Sequence, residues 1–444
     1  MQKDLTTGKP SKLLISFIIP LMLSVIFQQM YTIFDSVIAG RAIGPDALAS
    51  VGASYPITAI FMAFAIGSSA GTSVIVSRFF GVKQMGSMKT AIWTALSASL
   101  VVSLVLTVIG RFGCELMLRW LDTPENIMED SAVYLNIYIY GLVFLFLYNV
   151  VTGIFQALGD SRTPLILLIM SSLGNIILDV VFVVSFHMGV AGVGWATFLA
   201  QGASAVLAFA LLLKYVKKMN IQEPSRKFSM DMLRKICTIA LPSICQQSFV
   251  SVGNLFVQSV INQYGSSTIA GYNAGLKISM FFINCALSIA NGLGSFAAQN
   301  IGARKIDRVY EGFRAATKII YVFMTPCFLI CCIGAEPLIK MFVGSSDALA
   351  LETGMKYLRI VTPFYLVVIL KFVCDVVLKA AGAMKEFMIT TFSDLILRVA
   401  FSYILSALMG SVGIWCSWPL GWFLGTAFAF YFYKKKTWLK HLNE

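Results

Sequence analysis

Charge is what this sequence most lacks. Only 12% of its 444 residues are Asp, Glu, Lys or Arg, against about 25% in a soluble globular chain. So little charge cannot solvate the surface of a water-soluble protein of this size, which excludes that class. Histidine is scarcer still. His187 and His441 are the two present, and neither belongs to a metal-ligand cluster. There is no C-x-x-C pair, no G-x-S-x-G and no phosphate-binding glycine loop, which argues against an enzyme, including a membrane enzyme acting on lipid, and predicts no cofactor. Eight of the nine cysteines fall in or at the ends of apolar runs, with Cys114 as the exception. They read as packing residues, not as a disulfide or metal framework.

What the sequence has is apolar length: 58% hydrophobic residues and a mean hydropathy of +0.81. A helix needs roughly 20 apolar residues to cross a bilayer with its backbone internally satisfied. Twelve such runs can be read, at 13–39, 50–77, 90–110, 131–155, 163–186, 190–214, 236–262, 269–297, 316–335, 355–380, 387–408 and 411–433. The first follows a basic patch, as a secretory signal does, but Gln28, Gln29 and Asp35 and the missing cleavage pattern keep it as a span. Lys and Arg alternate between the connections in a ratio of about four to one, the asymmetry of the positive-inside rule for an even span number. Both termini are thereby predicted to be cytoplasmic, in a multi-pass protein of the plasma membrane. The net charge of +13 sits in short loops facing lipid headgroups, so the predicted partners are the bilayer and small solutes, not nucleic acid.

The halves repeat each other. Gly44, Ala49 and Ala53 fall on Gly265, Ala270 and Ala274 at an offset of 221, as do Gly71 on Gly292 and Gly81 on Gly302. Pro20 falls on Pro242 at an offset of 222. This predicts an all-α membrane protein with an amino-terminal lobe at 1–215, a cytoplasmic connection at 216–234 and a carboxy-terminal lobe at 235–444. Six spans per half put the pseudo-two-fold axis along the membrane normal, the design of a rocking transporter.

A few ionisable groups remain inside the spans: Asp35, Asp179, Lys277, Lys371, Asp375, Asp394 and Arg398. Each costs about 2.5–3.5 kcal/mol at mid-membrane, so each needs a partner, water or a changed protonation state. Lys371–Asp375 and Asp394–Arg398 are spaced i,i+4 and can neutralise each other on one helix face. Lys277 has no local partner, which leaves Asp375 or Asp394 across the bundle and places Lys277 and Asp375 as supporting residues of a substrate cavity. Asp35 shares a face with Tyr31 and Gln28, and Asp179 with Asn175, without a basic residue nearby on either helix. Carboxylate, amide and hydroxyl oxygens of this kind suit a small hard cation such as Na⁺, or a buried acid that exchanges a proton.

At these residues the chain resembles the multidrug and toxic compound extrusion (MATE) family. The matching phrases are Ile19-Pro20 with Gln28, Tyr31 and Asp35, then Asn175-x-x-x-Asp179, then Gly192-x-Gly194-x-Ala196-Thr197. The resemblance spans the chain and implies a secondary antiporter that exports organic, often cationic amphiphiles in exchange for H⁺ or Na⁺. It also implies a cation site at Asp35, Asn175, Asp179 and Thr197 with Tyr134 nearby, and a bend at Pro20. One departure is that the seventh span carries Gln246, Gln247, Asn254 and Gln258 but no carboxylate. The alternative is a lipid-linked precursor or polysaccharide flippase of the same superfamily, which would favour a cavity rich in bases. A major-facilitator carrier is disfavoured because RFFGVKQMGSMK, after the second span, lacks an acidic–basic signature.

Overall fold

The computed structural model describes residues 4–38, 43–343 and 347–442, with the side chains of 33–38, 45, 48 and 442 outside the description. Its helices are α1 Pro10–Ile38, α2 Pro45–Gly81, α3 Met85–Trp120, α4 Glu125–Tyr140, α5 Leu142–Ala157, α6 Arg162–Asp179, α7 Gly189–Lys218 and α8 Met230–Ile261. They continue as α9 Ser266–Gly302, α10 Ile306–Ile333, α11 Ala335–Val343, α12 Ala348–Val361, α13 Tyr365–Ala380, α14 Met384–Met409 and α15 Ser411–Lys434. No strand occurs among the described residues.

Every expected span coincides with helix, but several are not single rods. The fourth is α4 and α5, bent by 48° at Gly141. The tenth is α12 and α13, joined by a 3₁₀ turn at Thr362–Phe364 where Pro363 interrupts the ladder. The fifth leaves α-geometry after Asp179 and ends as a π-helix over Val180–Ser185. Between α7 and α8, residues 219–229 lie outside helix. Among the described residues, ten helices are long and apolar enough to cross a membrane, or eleven with α4–α5 as one span. The last expected span, α15, has 24 residues but is rich in Trp and Gly, and is not among them. A stripe of α3 leaves Val101, Val105, Val108, Ile109 and Phe112 exposed over several turns, an apolar band that only lipid covers at low cost.

The repeat is visible in the backbone. Gly44 and Gly265 both take positive φ just before the second helix of their half, a conformation that glycine adopts without strain. Lys83 and Arg304, again 221 residues apart, both take the left-handed conformation, at φ 62° and 57°. Each turn closes with matched backbone bonds, Gln84 N to Phe79 O and Lys305 N to Asn300 O.

Packing divides the chain into two compact units, one of 1–4 and 19–248, the other of 5–18 and 249–444. Side chains explain why the segments leading into α1 and α8 pack where they do. In the second unit Leu5 is fully buried. Its N–H donates to Gln299 Oε1 at 3.0 Å, Lys305 Nζ donates to Thr6 O at 2.9 Å, and Arg308 Nη1 donates to Gly8 O at 2.8 Å. In the first unit Gly86 N donates to Glu223 Oε2 at 2.6 Å, and Arg226 N and Ser229 N donate to Thr90 and Thr94 Oγ1. There the early part of α8 also packs closely on α2, where a Cβ on Gly71 would lie 2.7 Å from Ala240 Cβ. The core of the first unit gathers Ile57, Phe61, Leu118, Leu135, Leu145 and Phe146.

Candidate cation site

The site is built where α6 changes geometry. Asp160 starts this helix by accepting from Arg162 N and Thr163 N through Oδ1, at 3.0 and 3.1 Å, which satisfies two of the orphan donors of its first turn. About four turns later Asn175 and Asp179 lie one turn apart on one face, and both are buried. The Asn175 amide is oriented by its neighbours. Its Nδ2 donates to Asp179 Oδ2 at 2.8 Å, and its Oδ1 accepts from Thr197 N at 3.1 Å. Thr197 Oγ1 lies 3.3 Å from the same amide. The amide thus ties the carboxylate on α6 to α7.

The π-helix begins at the residue after Asp179. The wider turn shifts the following side chains relative to an α-register, as π segments at functional sites commonly do. Val183 of this turn packs with Val193 of α7, and Tyr134 of α4 lies against that pair. Glycines set the spacing. A Cβ on Gly192 would sit 3.2 Å from Val183 Cγ2, and one on Gly194 would sit 3.1 Å from Ile137 Cδ1. The Gly192-x-Gly194 phrase therefore lets α7 approach the π turn and α4 together. Tyr134, Tyr138, Gly194, Thr197 and Gln201 border a cavity of about 10 Å³, room for a single water. Tyr138 and Gln201 had no signal in the sequence beyond being polar residues within a span.

The remaining expected residues are placed as follows. Asp35 lies in the helical backbone of α1, but its side chain is outside the described residues. Pro20 is buried inside α1, immediately after the division between units. Its carbonyl accepts from Ser24 Oγ at 2.9 Å. Gln28 is exposed and Tyr31 half-buried. Lys277 corrects an expectation. It is exposed on α9, and no described carboxylate comes within ion-pair distance of it. The base that meets Asp375 and Asp394 is Lys371. Arg398 likewise makes no ion pair with Asp394 among the described residues, and its guanidinium stacks 4.3 Å from the Trp418 ring centre. Periodicity placed these groups on helix faces but could not show which cross-helix neighbour is nearer.

Comparison with known proteins places the chain. The MatE family model matches the chain twice, over 20–181 and 242–404, which repeats the internal duplication. The chain is 29% identical to a probable multidrug resistance protein, YpnP of Bacillus subtilis, over 98% of this chain and 97% of that protein. It is 26% identical to another from the same organism, YoeA, over 99% and 97%. Its fold superposes on a MOP superfamily transporter from Pyrococcus furiosus with a TM-score of 0.92, at 22% identity, covering 99% and 98% of the two chains. The chain belongs to the MatE family of multidrug efflux transporters and is a multi-pass membrane protein that carries out transport.

Proposed function

We propose that the protein is a secondary antiporter of the plasma membrane, exporting organic and often cationic amphiphiles in exchange for H⁺ or Na⁺. Its termini lie in the cytoplasm, and its lobes at 1–215 and 235–444 alternate access about the connection at 216–234. The observation that carries this reading is the buried Asp179 carboxylate held by Asn175 at the α6–π junction. The similarity to YpnP and YoeA, named as probable multidrug resistance proteins, supports the cargo class.

In the proposed cycle Asp35 and Asp179 take up the cation, with Asn175, Thr197 and Tyr134 as neutral oxygen donors. Neutralising the acids removes the cost of a buried charge and favours closer packing of the first span on the fifth and sixth, with Pro20 permitting the bend. The substrate then leaves outward. Coupling is only as strong as the cation's preference for one packing over the other, about 1.4 kcal/mol for each tenfold in affinity.

The test is ethidium efflux from reconstituted vesicles, with pH and Na⁺ gradients imposed separately. One gradient should drive export, and Asp179→Asn and Asp35→Asn should each lower it by about tenfold or more, the loss typical of damage to an ion site. Undiminished gradient-driven efflux in both variants would sink the assignment. Absence of efflux under either gradient from folded protein would favour the lipid-precursor flippase.

A further inference from the structure

The second unit contains its own buried ionic centre. Lys371 and Asp375 on α13 and Asp394 on α14 are 4–7% exposed. Lys371 Nζ donates to Asp375 Oδ2 at 2.8 Å and lies 3.8 Å from Asp394 Oδ2. Thr390 Oγ1 donates to Asp375 Oδ1 at 2.7 Å. Asp394 Oδ1 makes no hydrogen bond among the described residues, so this carboxylate has coordinating capacity left over.

Helix α15 closes over the group. Gly421 and Gly425 are one turn apart, and a Cβ on the first would lie 2.8 Å from Asp394 Oδ1. On the second it would lie 2.9 Å from Lys371 Cε and 3.0 Å from Asp394 Cβ. Arg398 is occupied by the Trp418 ring. Two carboxylates, one of them also accepting from the Thr390 hydroxyl, thus face one ammonium, in a space that α15 seals at backbone distance.

We propose that this centre is a monovalent-cation site whose cation is permanently supplied by Lys371. The oxygen set of Asp375 and Asp394 is the kind that holds a small cation. The ammonium occupies the position on a tether, so the second unit has nothing to exchange. Joined to the antiport reading above, on which this last step rests, cation exchange is confined to the first unit.

Removing the tether should turn a closed site into an open one. Lys371→Ala leaves two buried carboxylates with space beside them, and these should recruit Na⁺ or methylammonium from solution. The experiment is thermal unfolding of the purified full-length protein, carrying Asp179→Asn so that the first unit's site is disabled. NaCl and methylammonium chloride are titrated against choline chloride, whose bulk excludes it. The Tm of the Lys371→Ala protein should rise with the logarithm of Na⁺ or methylammonium concentration above its Kd. Protein with Lys371 intact and Lys371→Arg should respond as they do to choline, and adding Asp375→Asn to Lys371→Ala should abolish the response. No cation-specific response in Lys371→Ala overturns the proposal, and so does an equal response with Lys371 present. If Lys371→Ala does not fold, Lys371→Ala with Asp394→Asn retains Asp375 and Thr390. It should respond with affinity lowered about tenfold or more, and no response there overturns the proposal. Transport is not read, so failure of the antiport reading would leave the result standing.

Discussion

Asp179 in the first unit and Asp375 in the second are both almost wholly buried, yet their surroundings differ in kind. Asp179 receives an amide hydrogen from Asn175, and α4, residues 163–185 and α7 up to Lys214 contain no Lys or Arg. Asp375 receives an ammonium and a hydroxyl from residues of its own unit. An amide stabilises a carboxylate by hydrogen bonding without cancelling its charge, so a carboxylate so held still responds to a mobile cation. An ammonium at 2.8 Å cancels it, which on the proposed reading leaves no exchangeable role. On the proposed reading, the difference teaches that burial of an acid is not by itself a sign of coupling and that the charge of the groups that meet it matters as well.

The contrast can be strained from either side. The largest expected effect is on the closed centre. Lys371→Ala in choline should lower unfolding stability by about 3–5 kcal/mol, because it leaves buried charge uncompensated. Urea or thermal denaturation measures this, and a loss below 1 kcal/mol would mean that the pair is solvated and not sealed. Next is Gly425→Ala, which drives a methyl group against Lys371 Cε and Asp394 Cβ. Overpacking of that kind costs about 1–3 kcal/mol, and unfolding of the variant should show it. In the open centre, Asn175→Ala should cost about 1–3 kcal/mol through a lost partner for a buried carboxylate. It should also weaken coupling more than it weakens folding, so efflux and Tm are to be measured on one sample. The smallest effect is expected for Gly192→Ala, whose new methyl meets Val183 Cγ2 and Met188 Cβ at 3.2 Å. Val183 Cγ2 can shift by a few tenths of an ångström, but the Phe182 carbonyl carbon, 3.3 Å from the new methyl, belongs to the backbone, so the Tm should fall, though by less than for Gly425→Ala with its closest contact at 2.9 Å.

Much of this was legible in the sequence. Lipid demands long apolar helices, so every expected span fell on helix, with α15 the one not apolar enough to count as a crossing among the described residues, and the offset of 221 marked the repeat before the backbone showed it at Lys83 and Arg304. The breaks were harder to see. Nothing in Val180–Ser185 distinguishes a π turn from an α turn, because the difference lies in which carbonyl each N–H reaches. Pro363 is a residue type that interrupts a helix wherever it falls inside a span, whereas Gly141 does not stand apart from other glycines. Spacing also placed Asn175 below Asp179, since both lie on one helix. It could not decide between Asp375 and Asp394 for Lys277, and neither is its ion-pair partner, because cross-helix contacts depend on the rotation of α9 against α13 and α14, which no single-helix pattern contains. The close approach at Gly421 and Gly425 was hidden for the same reason: a glycine pair shows what a helix permits, and its neighbour determines whether the space is used.

The central claim is that the coupling cation is exchanged at the first unit's centre and not at the second's. Gradient-driven ethidium efflux tests it most directly when Asp179→Asn is set beside the double variant Lys371→Met, Asp375→Asn. That variant removes one base and one acid and leaves the net charge unchanged. The account predicts that Asp179→Asn abolishes gradient dependence while the double variant keeps it. Loss of coupling in the double variant, with Asp179→Asn still driven by the gradient, would contradict it.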